Sequence, residues 1–390
     1  MIGRPSLGVN RHKWGTLMRY KSSMRLRVLV WLTVSAFGTL VVSAPAETVR
    51  LPTTRFASAP VFAVPGRVDS GVPMVWTRID GRLTLVAFAS WGGAPVRMVG
   101  ADLEHLQLAG DVVIAPHPGD GIWIESVLAD QADSTWYAYY HHELPAHACG
   151  RPDRSIPRIG AARSTDRGQT WENLGIILEA PSGSEVCGSL NRYVWGGVGD
   201  VSAMVDRDWK DVYLYFSSYG RDPLTQGVAV ARLAWADRDN PRGRVAIWQD
   251  GVWLPPVSRP AGTGHGLEGW EYPAGTPLVR TTNPWHDGVQ TANAFWGPSI
   301  HWNTALERYV MLLNRARNEA FDNEGIYVSF AATIDDVRAW STPRKILNEG
   351  GWYPQIVGPE PGAGTDKQMG RRARFFLTGR STRYLEFTIP

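Results

Sequence analysis

Five stretches of this 390-residue chain obey one grammar: an apolar strand, a short polar turn, then an aromatic-rich strand ending in small or polar residues. The copies are Val72–Trp76 with Leu83–Ser90, Ile122–Leu128 with Thr135–Glu143, Gly199–Val205 with Val212–Ser218, Gly297–Trp302 with Tyr309–Arg315, and Trp352–Val357 with Arg374–Arg380. Outer strands such as Gly227–Ala231 and Gly325–Phe330 follow the middle copies. A unit of this kind cannot bury its faces alone, so neighbours must stack into a closed ring. The 41 glycines and 27 prolines suit many short strands and turns better than helices. The reading is an all-β fold, a five-bladed β-propeller with about 69 residues per blade. Six blades are the alternative, if Ile247–Phe295 conceals another. That stretch, near 250–294, is read instead as a Gly/Pro-rich insertion over the mouth. A strand near Ser58–Phe62 would complete the blade begun by the C-terminal strands. No linker divides residues 47–390, which read as one domain.

Residues 1–46 read as an address. Lys21, Arg25 and Arg27 precede an apolar run from Val28 to Val42, and Ala44-Pro45-Ala46 supplies small residues for cleavage of a signal peptide. The run is short for a bilayer span of ~20 apolar residues. The formal charge of +3 comes from 40 basic against 37 acidic residues. The leader holds seven basic residues and no acidic one, which leaves 33 against 37, or −4, in the mature chain. No basic stripe interleaved with aromatics remains, so no nucleic-acid partner is expected. The mature chain is expected to be a secreted or periplasmic monomer with no membrane contact after cleavage. Its two cysteines, Cys149 and Cys187, are expected to form a disulfide in that compartment.

Within that disulfide loop lies the run Ser164-Thr165-Asp166-Arg167-Gly168-Gln169-Thr170-Trp171. An Asp carboxylate accepting turn amides, a Gly with positive φ and a covering Trp suit a tight hairpin. The run resembles the Asp-box of sialidases and other carbohydrate-active β-propellers. That resemblance implies a structural role on the outer hairpin of a blade.

In a propeller, the starts of first strands and the ends of second strands surround one funnel. This rule selects the carboxylates Asp69, Glu125 and Asp200. Facing one another they repel, so at least one should hold its proton beside an ionised partner, as glycosidic hydrolysis requires. Strand ends add His141, His142, Glu143, Asn314 and Arg380, and first-strand positions add Trp296, His301 and Gln355, as sugar-binding residues. Trp302 and Trp352 are further stacking candidates. Alternation lets His141 and Glu143, but not His142, share a face. No third ligand is evident, so no metal or other cofactor is assigned, a structural calcium being the one admitted exception.

With these residues in view, the chain resembles the five-bladed propeller glycosidases, including glycoside hydrolase family 43 and the invertase-like enzymes. The resemblance implies an exported glycoside hydrolase acting on a carbohydrate. It implies Asp69 as base or nucleophile, a pKa-tuning carboxylate at Glu125 and a general acid at Asp200. The two acid types are exchanged relative to the family, so side-chain reach instead favours Glu125 as the acid. Trp296 stands where the family's Glu-Gly-Pro run has its Glu. A sialidase, gripping its substrate through Arg158, Arg315 and Arg380, and a non-catalytic sugar-binding propeller are the alternatives.

Overall fold

The computed structural model describes residues 51–130, 132–259, 269–286, 291–348 and 350–389; the leader lies outside them. Their architecture is five antiparallel sheets around an axis, a five-bladed β-propeller. Blade 1 contains Met74–Ile79, Arg82–Trp91, Ala94–Gly100 and Gln107–Asp111. Blade 2 contains Ile122–Ala129, Trp136–Ala146, Arg151–Ser164 and Thr170–Leu178, with Val113–Ala115 added in parallel at its outer edge. Blade 3 runs from Val198–Val205 through Asp211–Ser218 and Gly227–Ala234 to Ala246–Gln249 and Val252–Leu254. Blade 4 runs from Phe295–Asn303 through Arg308–Ala316 and Asn323–Ala331 to Arg344–Asn348. Blade 5 combines Pro354–Val357, Arg372–Leu377 and Arg380–Thr388 with the N-proximal strand Thr53–Ala63.

Thr53 pairs with Thr388 and Ala63 with Arg380, so the two ends of the domain close the ring in one sheet. The six-blade alternative does not hold among the described residues. Ala246–Leu254 supplies the outermost strands of blade 3, and beyond it Val257–Ser258 and Trp270–Glu271 form only a two-stranded ribbon.

The inner strands are buried at nearly every position because each blade is covered on both sides by neighbours. The apolar core is accordingly a set of wedges between blades. One centres on Phe88, Trp136 and Phe216, and others join blades 3 and 4, 4 and 5, and 5 and 1. Serine hydroxyls near the axis stitch these wedges together. Ser90 accepts from the Ile124 amide at 3.1 Å, Ser126 from Ala203 at 2.8 Å, and Ser202 from Ile300 at 3.0 Å. His301 Nδ1 bonds Asp366 O, and Asp366 Oδ1 accepts from Met74 at 2.8 Å, which completes the circuit back to blade 1. The amides of Ile124, Ala203, Ile300 and Met74, all on innermost strands, are thereby satisfied from the neighbouring blade.

The Asp-box forms as its residues dictate. Asp166 accepts from the amides of Gln169 and Thr170 at 3.0 and 2.9 Å, and Ser164 Oγ accepts from Gly168 at 2.8 Å. Trp171 is buried edge-on against Phe88 of blade 1, with ring centroids 5.6 Å apart. The box therefore clamps the outer hairpin of blade 2 to the neighbouring blade.

The Cys149–Cys187 disulfide is present and closes a 38-residue separation around that hairpin. In the chain-entropy account such a loop constrains the unfolded ensemble by about 4 kcal/mol. The double variant Cys149→Ser/Cys187→Ser should lose roughly that much stability in urea unfolding.

Candidate active site

Two of the three sequence-selected carboxylates sit on β-bulges. Pairing of Ile122–Ala129 with its neighbour slips between Ile124 and Ser126, and that of Val198–Val205 slips between Gly199 and Ser202. A bulge breaks the alternation and re-aims one side chain, here Glu125 and Asp200. A third bulge falls at Gly297-Pro298 on blade 4, beside Trp296. Asp200 has φ +45°, and the pocket residues Phe321 and Tyr353 have φ +57° and +55°. Bulky side chains rarely adopt this left-handed backbone, which packing must enforce.

Asp69, Glu125, Asp200, His141 and Glu143 line one cavity of about 240 Å³ at the axial mouth. Apart from Val194, its remaining walls are aromatic: Trp123, Tyr193, Tyr219, Trp296, Phe321, Trp352 and Tyr353. Among the described residues no Lys or Arg lines it.

Each acid is held differently. Asp69 accepts from Trp123 Nε1 at 2.6 Å and from the Gly92 amide at 3.2 Å. Burial raises its pKa, and these two donors pull the other way by favouring the ionised form. Glu125 is buried and accepts from the Val201 amide at 2.5 Å. Desolvation, then the charge of Asp200, pushes it up to about 8. At neutral pH it therefore holds its proton. Asp200 is raised by burial, which outweighs the opposing effects of His141 and the short hydrogen bond donated by the Tyr219 hydroxyl.

His141 links the group. Its Nδ1 accepts from the Asp200 amide at 2.9 Å, and its Nε2 faces Glu143 Oε1 at 3.5 Å. Burial opposes its charging, but Glu143, Glu125 and Asp200 outweigh burial and raise it to about 9. The charging favoured by these carboxylates and the geometry oppose each other: a charged ring carries a proton on Nδ1 as well and would lose the Asp200 amide bond, so the arrangement seen here is the neutral ring with its proton on Nε2, toward Glu143. Glu143 also accepts from Ser155 Oγ at 2.7 Å, and these partners overcome burial to hold it below the ordinary range.

Ligand-capable atoms of Glu125, His141 and Asp200 lie within 4.8 Å of one another, near enough to share a cation. The same groups accept from the Val201 amide, the Asp200 amide and the Tyr219 hydroxyl. Each carboxylate spends one oxygen on these bonds, Glu125 Oε2 and Asp200 Oδ2, which leaves the second oxygen of each and His141 Nε2 outside them.

Trp296 and Trp352 line the pocket as expected, with ring centroids 5.6 Å apart. Five other assignments are corrected. His142 points to the opposite face, where its Nε2 bonds Asp120 O at 3.1 Å and burial lowers it to about 4. His301 is fully buried between Ser299 Oγ and Asp366 O. Asn314 accepts from the Tyr353 amide at 3.1 Å and so braces the pocket from behind. Gln355 bonds the amide and carbonyl of Val72, joining blades 5 and 1 beneath the site. Arg380 opens an outer strand and is exposed.

Trp302 lies under the Arg207 guanidinium in a separate cavity with Met74 and Trp209. The three arginines of the sialidase alternative do not meet either. Arg158 lines a cavity with Leu144 and Glu179, and Arg315 lies over Phe295 with Nη1 on the Tyr327 hydroxyl.

Trp123, Tyr219, Phe321 and Tyr353 escaped the sequence reading. Tyr219 directly follows a second strand and Tyr353 directly precedes a first strand, so the strand-end rule extended by one residue would have found both. Tyr193 comes from the loop that the disulfide anchors, and nothing local in the sequence marks it.

No protein-family model matches the chain, and no curated protein matches it. Solved structures with a similar chain path include an endo-arabinase from Bacteroides thetaiotaomicron, with 11% identity over 84% of this chain and 95% of that one, and a TM-score of 0.45. A thermostable family-43 glycoside hydrolase gives 12% identity over 84% and 96%, with a TM-score of 0.47. The catalytic domain of the Coprinopsis cinerea GH62 α-L-arabinofuranosidase gives 9% over 87% and 98%, with a TM-score of 0.48. Likenesses this remote transfer no residue roles. Among the described residues no helix is long and apolar enough to cross a membrane.

Proposed function

We propose that the protein is an exported glycoside hydrolase acting on a neutral glycan. The observation that carries this reading is the meeting of Asp69, Glu125 and Asp200, from three blades, in one aromatic-walled pocket. Glu125, protonated at neutral pH, is the general acid that protonates the glycosidic oxygen. Asp69, braced as a carboxylate by Trp123 and Gly92, acts on the anomeric carbon or on the attacking water. Asp200 keeps the proton on Glu125 by its charge. These roles follow side-chain reach: the acid lies on blade 2 and the tuning Asp on blade 3. Among the described residues no Lys or Arg lines the pocket, so the carboxylate of an anionic sugar would meet Asp69, Asp200 and Glu143 there without a guanidinium or ammonium partner. The aromatic walls offer stacking faces to a sugar ring. Export rests on the leader and is consistent with the disulfide.

A panel of neutral aryl glycosides and a fluorogenic sialoside tests the reading. Turnover of at least one neutral glycoside and none of the sialoside is expected. The reverse pattern, or no turnover of any member or of neutral polysaccharides, overturns it.

The protonated acid also fixes the pH dependence. Rate should be lost as pH rises through about 8, where Glu125 gives up its proton in the folded protein. The folded state binds more protons than the unfolded chain between the ordinary carboxyl range and that value, so stability should fall over the same interval. Tyr219→Phe removes a bond that favours ionised Asp200. Asp200 then protonates more readily and repels Glu125 less, so the alkaline limb of kcat/KM should move to lower pH.

A further inference from the structure

A second cavity, of about 500 Å³, opens between blades 3 and 4 and shares no lining residue with the axial pocket. Its floor is apolar: Val228, Phe295, Met311 and Leu313 are all buried. Trp248 and Trp340 form its aromatic walls. Trp340 is pinned by its Nε1, which donates to the Tyr215 hydroxyl at 3.0 Å. Trp248 is flanked by Trp253 at 5.2 Å between centroids and carries the Arg338 guanidinium at 5.7 Å.

Two guanidinium groups, Arg280 and Arg338, complete the lining. Among the described residues neither takes part in an ion pair. The neighbouring Asp250 directs its carboxylate to Thr276 Oγ1, at 3.3 Å, and comes within ion-pair distance of neither arginine. Both guanidinium groups are exposed, so they stand at the rim of the cleft above its buried apolar floor. Two unneutralised cations at one cleft lower the cost of bringing in an anion, and an apolar floor with aromatic walls stabilises a non-polar body.

We propose that this inter-blade cleft is a binding site for a small amphiphilic carboxylate, its aromatic or alicyclic body between Trp248 and Trp340 and its carboxylate on Arg280 and Arg338. The site is independent of the axial pocket in position and in charge. The cleft is cationic and apolar, whereas the axial pocket is acidic.

The test uses 2-naphthoate as probe and the isosteric neutral 2-naphthamide as control, titrated by calorimetry into the full mature chain. Saturable binding of one 2-naphthoate per chain is expected, with Kd at or below about 1 mM. The amide should bind roughly tenfold more weakly, and Arg280→Gln and Arg338→Gln should each cost a similar factor. Both substitutions leave the apolar floor intact and should leave glycoside turnover at the wild-type rate. Glu125→Gln should leave 2-naphthoate binding unchanged, which separates this site from the axial one. Absence of saturable binding, equal affinity for the amide, indifference to both arginine substitutions, or loss of binding in Glu125→Gln each overturns the proposal.

Discussion

Glu125→Gln, Asp69→Asn and Asp200→Asn should each lower kcat by about 10²–10⁴-fold, the range by which positioned acids and bases accelerate proton transfer. Their melting temperatures should stay at or above that of the wild type at pH 8 and beyond. The reason lies in how the acids are held. Glu125 and Asp200 are buried beside one another, and burial is the largest influence raising both pKa values. Ionising them costs stability, so an amide of the same shape removes a penalty while still accepting the Val201 hydrogen bond at position 125. Asp200→Asn carries a second signature, since losing its charge should draw the alkaline limb of any residual activity downward. Kinetics and thermal unfolding on the same samples separate the cases. Loss of activity accompanied by loss of fold would make these carboxylates structural.

Gly168→Ala should destabilise the fold by about 2–5 kcal/mol, the sum of a left-handed backbone without glycine and an overpacked contact. Gly168 has φ +76°, and a Cβ placed there would lie 2.4 Å from Phe88 Cζ and 3.2 Å from Trp171. Neither ring can retreat, because Phe88 and Trp171 are buried against each other. Gly66→Ala is the matching control. Its φ is +85°, but nothing lies within 4 Å of the added carbon, so only the backbone cost of about 1–2 kcal/mol should appear. Chemical denaturation of the two variants side by side reads the difference. Equal effects would mean that the Asp-box does not clamp blade 2 to blade 1.

The ring and its closure were legible because they rest on repetition, which survives uncertainty about any single strand. The paired ends at Thr53 and Thr388 follow from the same logic. Asp69, Glu125 and Asp200 were legible because propeller geometry brings the starts of first strands to the axis whatever the intervening loops do.

The binding residues were less so. His142, His301, Asn314 and Gln355 satisfy the positional rule, yet each spends its polar atoms on neighbouring backbone. A rule about strand position cannot say which side chains the blades themselves need as braces. The bulges at Glu125 and Asp200 were invisible for a related reason. A bulge depends on the pairing register, which involves the partner strand as much as the bulged one. The aromatic wall was missed in part because Tyr193 and Phe321 arrive on loops, whose paths no periodicity describes.

The most direct test of the whole account is a crystal structure of the Glu125→Gln protein with a neutral oligosaccharide that the wild type hydrolyses. The account predicts a sugar ring against Trp296 or Trp352, the scissile oxygen within hydrogen-bonding distance of the amide at position 125, and Asp69 facing the anomeric carbon. A substrate seated outside the axial pocket, or turned so that its glycosidic oxygen faces none of the three carboxylates, would contradict it.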